Sequence, residues 1–84
     1  MKLLKFYADW CGPCKMQSTI IKNAGDKIAV PVNDIDIDQN VFMATEFNVR
    51  SVPTMILVDD SDKEIKRKVG VMKEAELIEW LSNK

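Results

Sequence analysis

The beginning of the chain shows two different spacings of hydrophobic residues. Residues 3–8 are apolar except for Lys5, and a short run of this composition is typical of a buried β-strand. After Gly12 and Pro13 the apolar residues recur at helical spacing, at Met16, Ile20, Ile21 and Ala24. This spacing predicts an amphipathic helix, and Gly25 is well placed to end it.

The next part of the chain predicts a second strand and a short helix. Residues 27–37 contain a β-branched series, namely Ile28, Val30, Val32, Ile35 and Ile37. Pro31 cannot donate a backbone hydrogen bond, so we expect the early part of this strand to be irregular or to lie at an edge. Asp38 or Asn40 is expected to cap a short helix that carries Phe42, Met43 and Phe47.

The rest of the chain predicts a hairpin and a final helix. Residues 54–58 suit a third strand, and residues 64–69 alternate as a half-exposed fourth strand. The polar residues 59–63 between them are typical of a turn. A final set of apolar residues lies at helical spacing, at Ala75, Leu77, Ile78 and Leu81. The order of elements is therefore β-α-β-α-β-β-α.

This order indicates an α/β protein. The first β-α-β unit implies two parallel strands with a right-handed crossover, and the short turn makes the last two strands antiparallel. We therefore expect a four-stranded mixed sheet with helices on both faces. Within it we expect Met16, Met43, Met55 and Trp80 to fill the core, and Met72 to lie near a functional surface.

Length and charge limit what the chain can do. Its 84 residues suit one domain, residues 1–84, with a small core. A formal net charge of -1 gives no bulk electrostatic reason to bind nucleic acid or a membrane surface. There is no run of about 18 apolar residues, and the N-terminal residues lack the features of a signal peptide. We therefore expect a cytoplasmic protein without a membrane span.

The two cysteines of the chain, Cys11 and Cys14, flank Gly12 and Pro13 at the start of the predicted first helix. In a reducing compartment such a close pair is more often catalytic or metal-binding than structural. Zinc would need two further sulfur or nitrogen ligands, and the chain has no other cysteine and no histidine. The lack of histidine also excludes Ser–His and Cys–His nucleophile systems.

The position of the pair favours thiol–disulfide exchange. Cys11 lies where the free N–H groups and the positive end of the helix dipole stabilise a thiolate. Cys14, one turn further along, is expected to be more shielded. We therefore expect Cys11 to attack a substrate disulfide and Cys14 to resolve the mixed disulfide, with Gly12 and Pro13 shaping the loop between them. Spacing alone leaves an inert, buried cysteine pair as the alternative.

Four separated segments of the chain resemble the thioredoxin family. Residues 6–16, FYADWCGPCKM, match the family's active-site segment, and residues 50–54, RSVPT, resemble its cis-proline loop. Residues 37–40, IDQN, and 68–70, KVG, fit two further junctions. The resemblance covers nearly the whole chain. It implies a minimal thioredoxin fold with sheet order 2-1-3-4, and the activity of a thiol–disulfide oxidoreductase that reduces protein disulfides.

The resemblance also implies where a substrate binds. Trp10 would lie beside the cysteines and shape the contact surface. Pro53 would be cis, and Val52 would present backbone groups to an extended substrate segment beside the cysteines, next to Thr54. Gly70 would let the partner's backbone approach closely.

Cofactor and partners follow from the same resemblance. It implies no bound cofactor, because the Cys11–Cys14 dithiol carries the electrons. These would come from NADPH through thioredoxin reductase or a similar flavoprotein reductase. The implied partners are disulfide-containing protein substrates such as ribonucleotide reductase, with no nucleic acid and no membrane, and the protein is expected to be a monomer.

Two departures from the family's pattern concern the start of the chain and a pair of charged residues. Typical members begin with an additional strand and helix, so this chain resembles a minimal core of glutaredoxin size. Typical members also have a buried Asp six residues before the first cysteine, paired with a Lys on the next strand. Here Lys5 and Asp34 stand at those positions. We expect them to form a partly buried ion pair beneath Cys14, the alternative being that Lys5 reaches solvent and Asp34 lies in a loop.

Two other functions remain open from the sequence. A glutaredoxin-like, glutathione-dependent reductase is the first, although Gly12-Pro13 replaces the usual Pro-Tyr and Gly70 stands where a Gly-Gly segment is usual. The second is a binding or scaffold subunit that uses the same apolar surface without redox turnover. The source of the reducing electrons separates the first from a thioredoxin, and binding that survives loss of both cysteines would identify the second.

Overall fold

The computed structural model describes residues 1–82. Four strands and three helices follow one another in the order β-α-β-α-β-β-α, as the sequence predicts. They are β1 (Lys2–Tyr7), α1 (Gly12–Ala24), β2 (Val32–Asp36), α2 (Val41–Glu46), β3 (Thr54–Val58), β4 (Glu64–Val69) and α3 (Glu74–Ser82), with a short 3₁₀ turn at Gly25–Lys27.

The four strands form one mixed sheet in the order β2-β1-β3-β4. Strand β1 pairs in parallel with β2 and antiparallel with β3, and β3 pairs antiparallel with β4. The order 2-1-3-4 and the mixed sheet confirm the predicted fold class. Because β1 lies inside the sheet and is covered on both faces, its central residues are buried, which accounts for its nearly continuous apolar sequence.

The two faces of the sheet pack against different helices. On one face, residues of β1 and β3 meet α3 and the segment before it, with residues of α1 packed alongside; the buried members are Leu3, Met55, Leu57, Met72, Leu77 and Leu81. On the other face, α2 and its flanking residues cover Leu4, Phe6, Ile35, Ile56 and Val58. Alternation along each strand divides the apolar residues between the two cores.

The second strand is shorter than the sequence predicts. Instead of residues 27–37, only Val32–Asp36 pair with β1, and Lys27 belongs to the 3₁₀ turn. Pro31 lies just outside the strand, where its carbonyl accepts the N–H of Leu3 at 2.8 Å. Since proline can accept but not donate a backbone hydrogen bond, regular pairing begins only after it.

The predicted positions of two methionines are also wrong. Met16 is 60% exposed, because the inward face of α1 is set by Cys14, Gln17 and Ala24. Met72 lies in the core with no exposure.

The predicted side-chain cap of α2 is absent among the described residues. Asn40 precedes α2 as expected, but neither it nor Asp38 caps that helix with its side chain.

The first helix ends where the sequence predicts. Gly25 follows its last residue with φ +50°, a conformation that L-residues with side chains rarely adopt, and its N–H bonds to the carbonyl of Ile21. Of the helices in residues 1–82, none is long and apolar enough to cross a membrane.

Candidate active site

Cys11 and Cys14 form a disulfide at the N-terminus of α1. Their Cα atoms are 5.3 Å apart, within the range that a disulfide requires. Cys11 is the N-cap residue of the helix, in an extended conformation, and its Sγ accepts the backbone N–H of Cys14 at 3.1 Å. Pro13, in the first turn, has no N–H to leave unpaired there. An N–H group in the first turn of the helix, which has no partner within the helix, is therefore directed at the sulfur of Cys11.

The disulfide is almost covered by the protein. Cys11 is 4% exposed and Cys14 is 2% exposed, so the expected difference in shielding is small. Both pack with Ala8 in a small cluster at the end of β1. The partly buried residues around this cluster are Tyr7, Ile37 and Val52. Gly12 and Pro13, in contrast, are exposed and form the outer surface of the loop.

Trp10 is a large exposed aromatic residue beside the disulfide. Its side chain is 70% exposed, and its indole N–H donates to the carboxylate of Asp38 at 3.0 Å. The hydrogen bond fixes one edge of the ring, while most of the apolar ring stays exposed to solvent.

The loop before β3 lies against the disulfide cluster. The Val52–Pro53 peptide bond is cis, and Pro53 is buried. The N–H of Gly70 donates to the carbonyl of Pro53 at 2.9 Å, which joins this loop to the segment after β4. The Thr54 hydroxyl donates to the carbonyl of Ser51 at 2.7 Å and closes the loop locally.

Gly70 adopts φ +97°, a backbone conformation that favours glycine. A side chain at position 70 would strain the turn, although the space around it is open.

Lys5 is buried inside this site. Its side chain is 4% exposed, and its Nζ lies 3.1 Å from the carboxylate of Asp34, which is 59% exposed. The two residues face each other across the parallel pair of β1 and β2. Lys5 also donates to the hydroxyl of Ser18 on α1, and its Nζ lies 5.4 Å from the centroid of the Tyr7 ring.

Tyr7 carries the only resolved change in acidity near the disulfide among residues 1–82. Desolvation by burial raises the pKa of its phenol above 10.0, and the nearby carboxylates of Asp36, Asp9 and Asp34 raise it further. The phenol therefore stays protonated and neutral over the physiological pH range.

Sequence reasoning missed two residues of this region. Gln17 is fully buried on the inward face of α1, where its amide bonds to the backbone of Met72. Ser18 bonds to Lys5 and lines a cavity of about 210 Å³ together with Cys14. A signal for Gln17 was available, since a polar residue three positions after Cys14 falls on the same helix face.

A larger cavity lies elsewhere. It has a volume of about 610 Å³ and opens between β2 and α2, among side chains that include Leu4, Ile35 and Phe47. It contains neither cysteine. The sulfur chemistry, not the size of a cavity, therefore identifies the site. Within residues 1–82 no group of His, Cys, Asp and Glu residues could hold a metal ion.

The arrangement has a definite chemical capacity. A disulfide lies at the N-terminus of a helix, where the N–H of Cys14 donates to the sulfur of Cys11, and negative charge is generally favoured at such a terminus. Together with the four-stranded sheet and its three helices, this site defines a thiol–disulfide oxidoreductase.

Comparison with known proteins assigns the family. The Thioredoxin family model matches residues 1–83, so the chain belongs to the thioredoxin family. It is 41% identical over 85 residues to a thioredoxin of Mycolicibacterium smegmatis, covering 96% of this chain and 75% of that protein. A thioredoxin of Chlamydia pneumoniae is 40% identical over 83 residues, with 98% and 79% covered.

A solved structure has the same fold. A single-site mutant of a thioredoxin from Halobacterium salinarum NRC-1 superimposes with a TM-score of 0.86 at 35% identity, covering 95% of this chain and 70% of that one. The chain is thus an oxidoreductase that reduces protein disulfides, and its redox-active group is the Cys11–Cys14 pair.

Proposed function

We propose that this chain is a dithiol carrier in which Cys11 is the nucleophile and Cys14 the resolving cysteine. The observation that carries the assignment is the N-cap position of Cys11, whose sulfur accepts the N–H of Cys14 at 3.1 Å. The helix dipole and this N–H group stabilise negative charge on Cys11. Cys14 lies inside the first turn, where its own backbone N–H is the donor of this hydrogen bond.

The reaction proceeds in two exchanges. The Cys11 thiolate attacks one sulfur of the substrate disulfide, forms a mixed disulfide and releases the first substrate thiol after protonation. The Cys14 thiolate then attacks the sulfur of Cys11, forms the Cys11–Cys14 disulfide and releases the second substrate thiol. Two electrons and two protons pass from the protein dithiol to the substrate, and the protein ends in the disulfide form.

The substrate segment docks on the surface beside Cys11. Trp10 supplies an exposed aromatic face, and Val52 packs directly on the cysteine cluster. Pro53, Thr54 and Gly70 shape the adjoining loop, which the Gly70–Pro53 hydrogen bond holds together. This surface is apolar and adjoins the disulfide, as docking of an extended peptide requires.

Lys5 and Asp34 act on the site from β1 and β2, where Lys5 bonds to Ser18 of α1. The ammonium group of Lys5 is buried and bonded to Ser18, which shares a cavity with Cys14. A positive charge at this place stabilises the Cys14 thiolate during the second exchange. Asp34, largely exposed, balances the charge of Lys5 without covering the cysteines.

The remaining assignments concern the cellular setting. The carrier takes electrons from NADPH through thioredoxin reductase or a similar flavoprotein reductase, and it reduces proteins such as ribonucleotide reductase. It acts in the cytoplasm as a monomer, with residues 1–84 as one domain and without nucleic acid or membrane. The near-neutral net charge supports the absence of nucleic-acid and membrane binding, the use of both cysteines in one redox pair supports a reducing compartment, and membership of the thioredoxin family supports the reductase and the protein substrates.

The source of electrons provides the test. Insulin reduction is followed with NADPH and thioredoxin reductase, and in parallel with glutathione, NADPH and glutathione reductase. We expect turnover with the first system and a rate at least about tenfold lower with the second. Faster turnover with glutathione would establish the glutaredoxin-like alternative.

Two cysteine variants test the roles in the same assay. Cys11→Ser should abolish turnover, whereas Cys14→Ser should accumulate a mixed disulfide with insulin because nothing resolves it. Undiminished turnover by Cys11→Ser would contradict the assignment of the nucleophile. Binding of partners by a Cys11→Ser/Cys14→Ser double variant, without any turnover by the unchanged protein, would instead indicate a scaffold subunit.

A further inference from the structure

Gln17 is a fully buried polar residue that lies close to the disulfide but does not contact it through any hydrogen bond described for residues 1–82. It lies on α1, three residues after Cys14 and on the same inward face. Its Nε2 donates to the carbonyl of Met72 at 3.2 Å, and its Oε1 accepts the N–H of Met72 at 2.7 Å. One side-chain amide thus pairs both backbone groups of a single residue.

Met72 belongs to the segment between β4 and α3, which also contains Gly70 and Val71. The other end of this segment is fixed as well, because the N–H of Gly70 donates to the carbonyl of Pro53 at 2.9 Å. The segment therefore bridges the cis-proline loop at one end and the cysteine helix at the other. Gln17 is the connection to the helix.

The connection is specific in its chemistry. Met72 has no exposure to solvent, so water cannot replace the amide if Gln17 is lost. An apolar side chain at position 17 would fill the space but leave the N–H and C=O of Met72 without their partner. The amide therefore does more than fill the core: it fixes the distance and orientation of residues 70–72 relative to Cys11.

We propose that Gln17 is a positioning residue for protein substrates, which through the buried backbone of Met72 holds Gly70 where an extended substrate segment meets it beside the disulfide. The inference rests on the docking surface of the proposed function. Gln17 itself touches neither the substrate nor the reacting sulfurs. Its removal should therefore weaken the docking of a large substrate and leave the intrinsic reactivity of Cys11 unchanged.

The test compares two substrates in the Gln17→Met variant, which keeps the length of the side chain and removes both hydrogen bonds. Dithiothreitol serves as reductant, so that docking of a reductase does not enter. For insulin we expect KM to rise about tenfold, the effect of losing one well-formed interaction, with kcat little changed. For a small aromatic disulfide, dithiobis(nitrobenzoic acid), the rate should stay within about twofold of the unchanged protein.

A core variant on the other face of the sheet provides the matched control. Leu4→Ala loosens the packing under α2 without contacting residues 70–72. Assayed at a temperature where it stays folded, it should leave KM for insulin within about twofold. The inference is overturned if Leu4→Ala reproduces the insulin-specific loss, if Gln17→Met slows both substrates equally, or if it slows neither.

A second measurement applies if Gln17→Met does not fold. Nuclear magnetic resonance of the Cys14→Ser protein, with a cysteine peptide trapped on Cys11, should show shifted signals of the Gln17 side-chain NH₂ and slower exchange of the Met72 amide. Unchanged signals at both residues overturn the inference. Failure of the proposed function is recognised separately: the unchanged protein would then reduce the small disulfide but not insulin.

Discussion

The two faces of the sheet differ in the side chains that they bury. The face under α2 is built from apolar side chains such as Phe6, Ile56 and Val58, packed by residues of α2. The face under α1 and α3 has a similar apolar core but also contains Lys5 and Gln17. The third buried polar side chain of residues 1–82 is Thr54, which bonds locally to Ser51 at the start of β3.

The difference between the faces lies in the burial of two polar side chains, Lys5 and Gln17, which costs free energy. Burying an amide or an ammonium group is unfavourable unless its hydrogen bonds are remade inside the protein. Lys5 and Gln17 both have such partners, and both connect α1 to another part of the site, Lys5 to β2 and Gln17 to the segment before α3. Both cores stabilise the sheet, and Val52 packs against the α2 core as well as the cysteine cluster, whereas the buried ammonium and amide groups that link α1 to its neighbours lie on the α1 side.

Phe6→Ala should produce the largest loss of stability and thereby test the packing role of the α2 face. Phe6 has no exposure, and its ring lies 5.9 Å from that of Phe47. Truncation of such a ring lowers the free energy of unfolding by about 3–5 kcal/mol, measured by denaturant titration. At a temperature where the variant is folded, insulin reduction should stay within about twofold of the unchanged protein. A large loss of activity in the folded variant would erase the distinction between the two faces.

Asp34→Asn should have the next largest effect and tests the α1 face. It leaves the ammonium group of Lys5 buried with its bond to Ser18 but without a carboxylate, and we expect a loss of about 1–3 kcal/mol in the free energy of unfolding. Adding Lys5→Met should recover much of this loss, because no buried charge then remains. Denaturant titrations of the two single variants and the double variant give the coupling energy, and purely additive losses would contradict a coupled pair.

Glu64→Gln should have the smallest effect and concerns an ion pair on β4, outside both cores. The hydrogen bond from Arg67 holds the pKa of the Glu64 carboxyl below its ordinary value of 4.5. Since the pKa is lower in the folded state, the pair stabilises the protein above the ordinary value. That stability is lost as the pH falls through the lowered pKa.

The pair is only partly buried, so we expect Glu64→Gln to lower the free energy of unfolding by less than about 1 kcal/mol at pH 7. The difference from the unchanged protein should shrink towards zero as the pH is lowered below 4.5. Denaturant titrations across this pH range measure it, with Lys63→Gln in the neighbouring turn as a charge control. If the difference in the free energy of unfolding grew as the pH fell, the pKa of Glu64 would not be lowered in the folded protein.

Features that depend on neighbouring residues can be predicted from the sequence, whereas contacts between residues far apart in the chain are harder to predict. The bounds of β3 and β4 and the end of α1 at Gly25 depend on local pattern, and the structure agrees with them. The cysteine pair is likewise local, since Cys11 and Cys14 are three residues apart. Pro31 predicts an irregular start of β2, but the residue at which pairing begins, Val32, depends on the register with β1.

Contacts between distant residues were harder to predict. The ion pair of Lys5 and Asp34 was expected because the resemblance to a family supplied the register of two strands, and the structure places their charged atoms 3.1 Å apart. No such guide existed for Gln17, whose partner Met72 lies 55 residues away in the chain. The same limit applies to Met72, which the sequence places near a surface and the structure places in the core.

The placement of the methionines has a consequence for durability under peroxide. Oxidation of a thioether to the sulfoxide adds a polar oxygen and disrupts packing wherever the side chain is enclosed. Met55 and Met72 have no exposure, while Met16, 60% exposed on α1, is open to a diffusing oxidant. Peroxide damage would therefore fall first on Met16, which has little packing to lose, while the buried sulfur atoms of Met55 and Met72 are shielded from the oxidant.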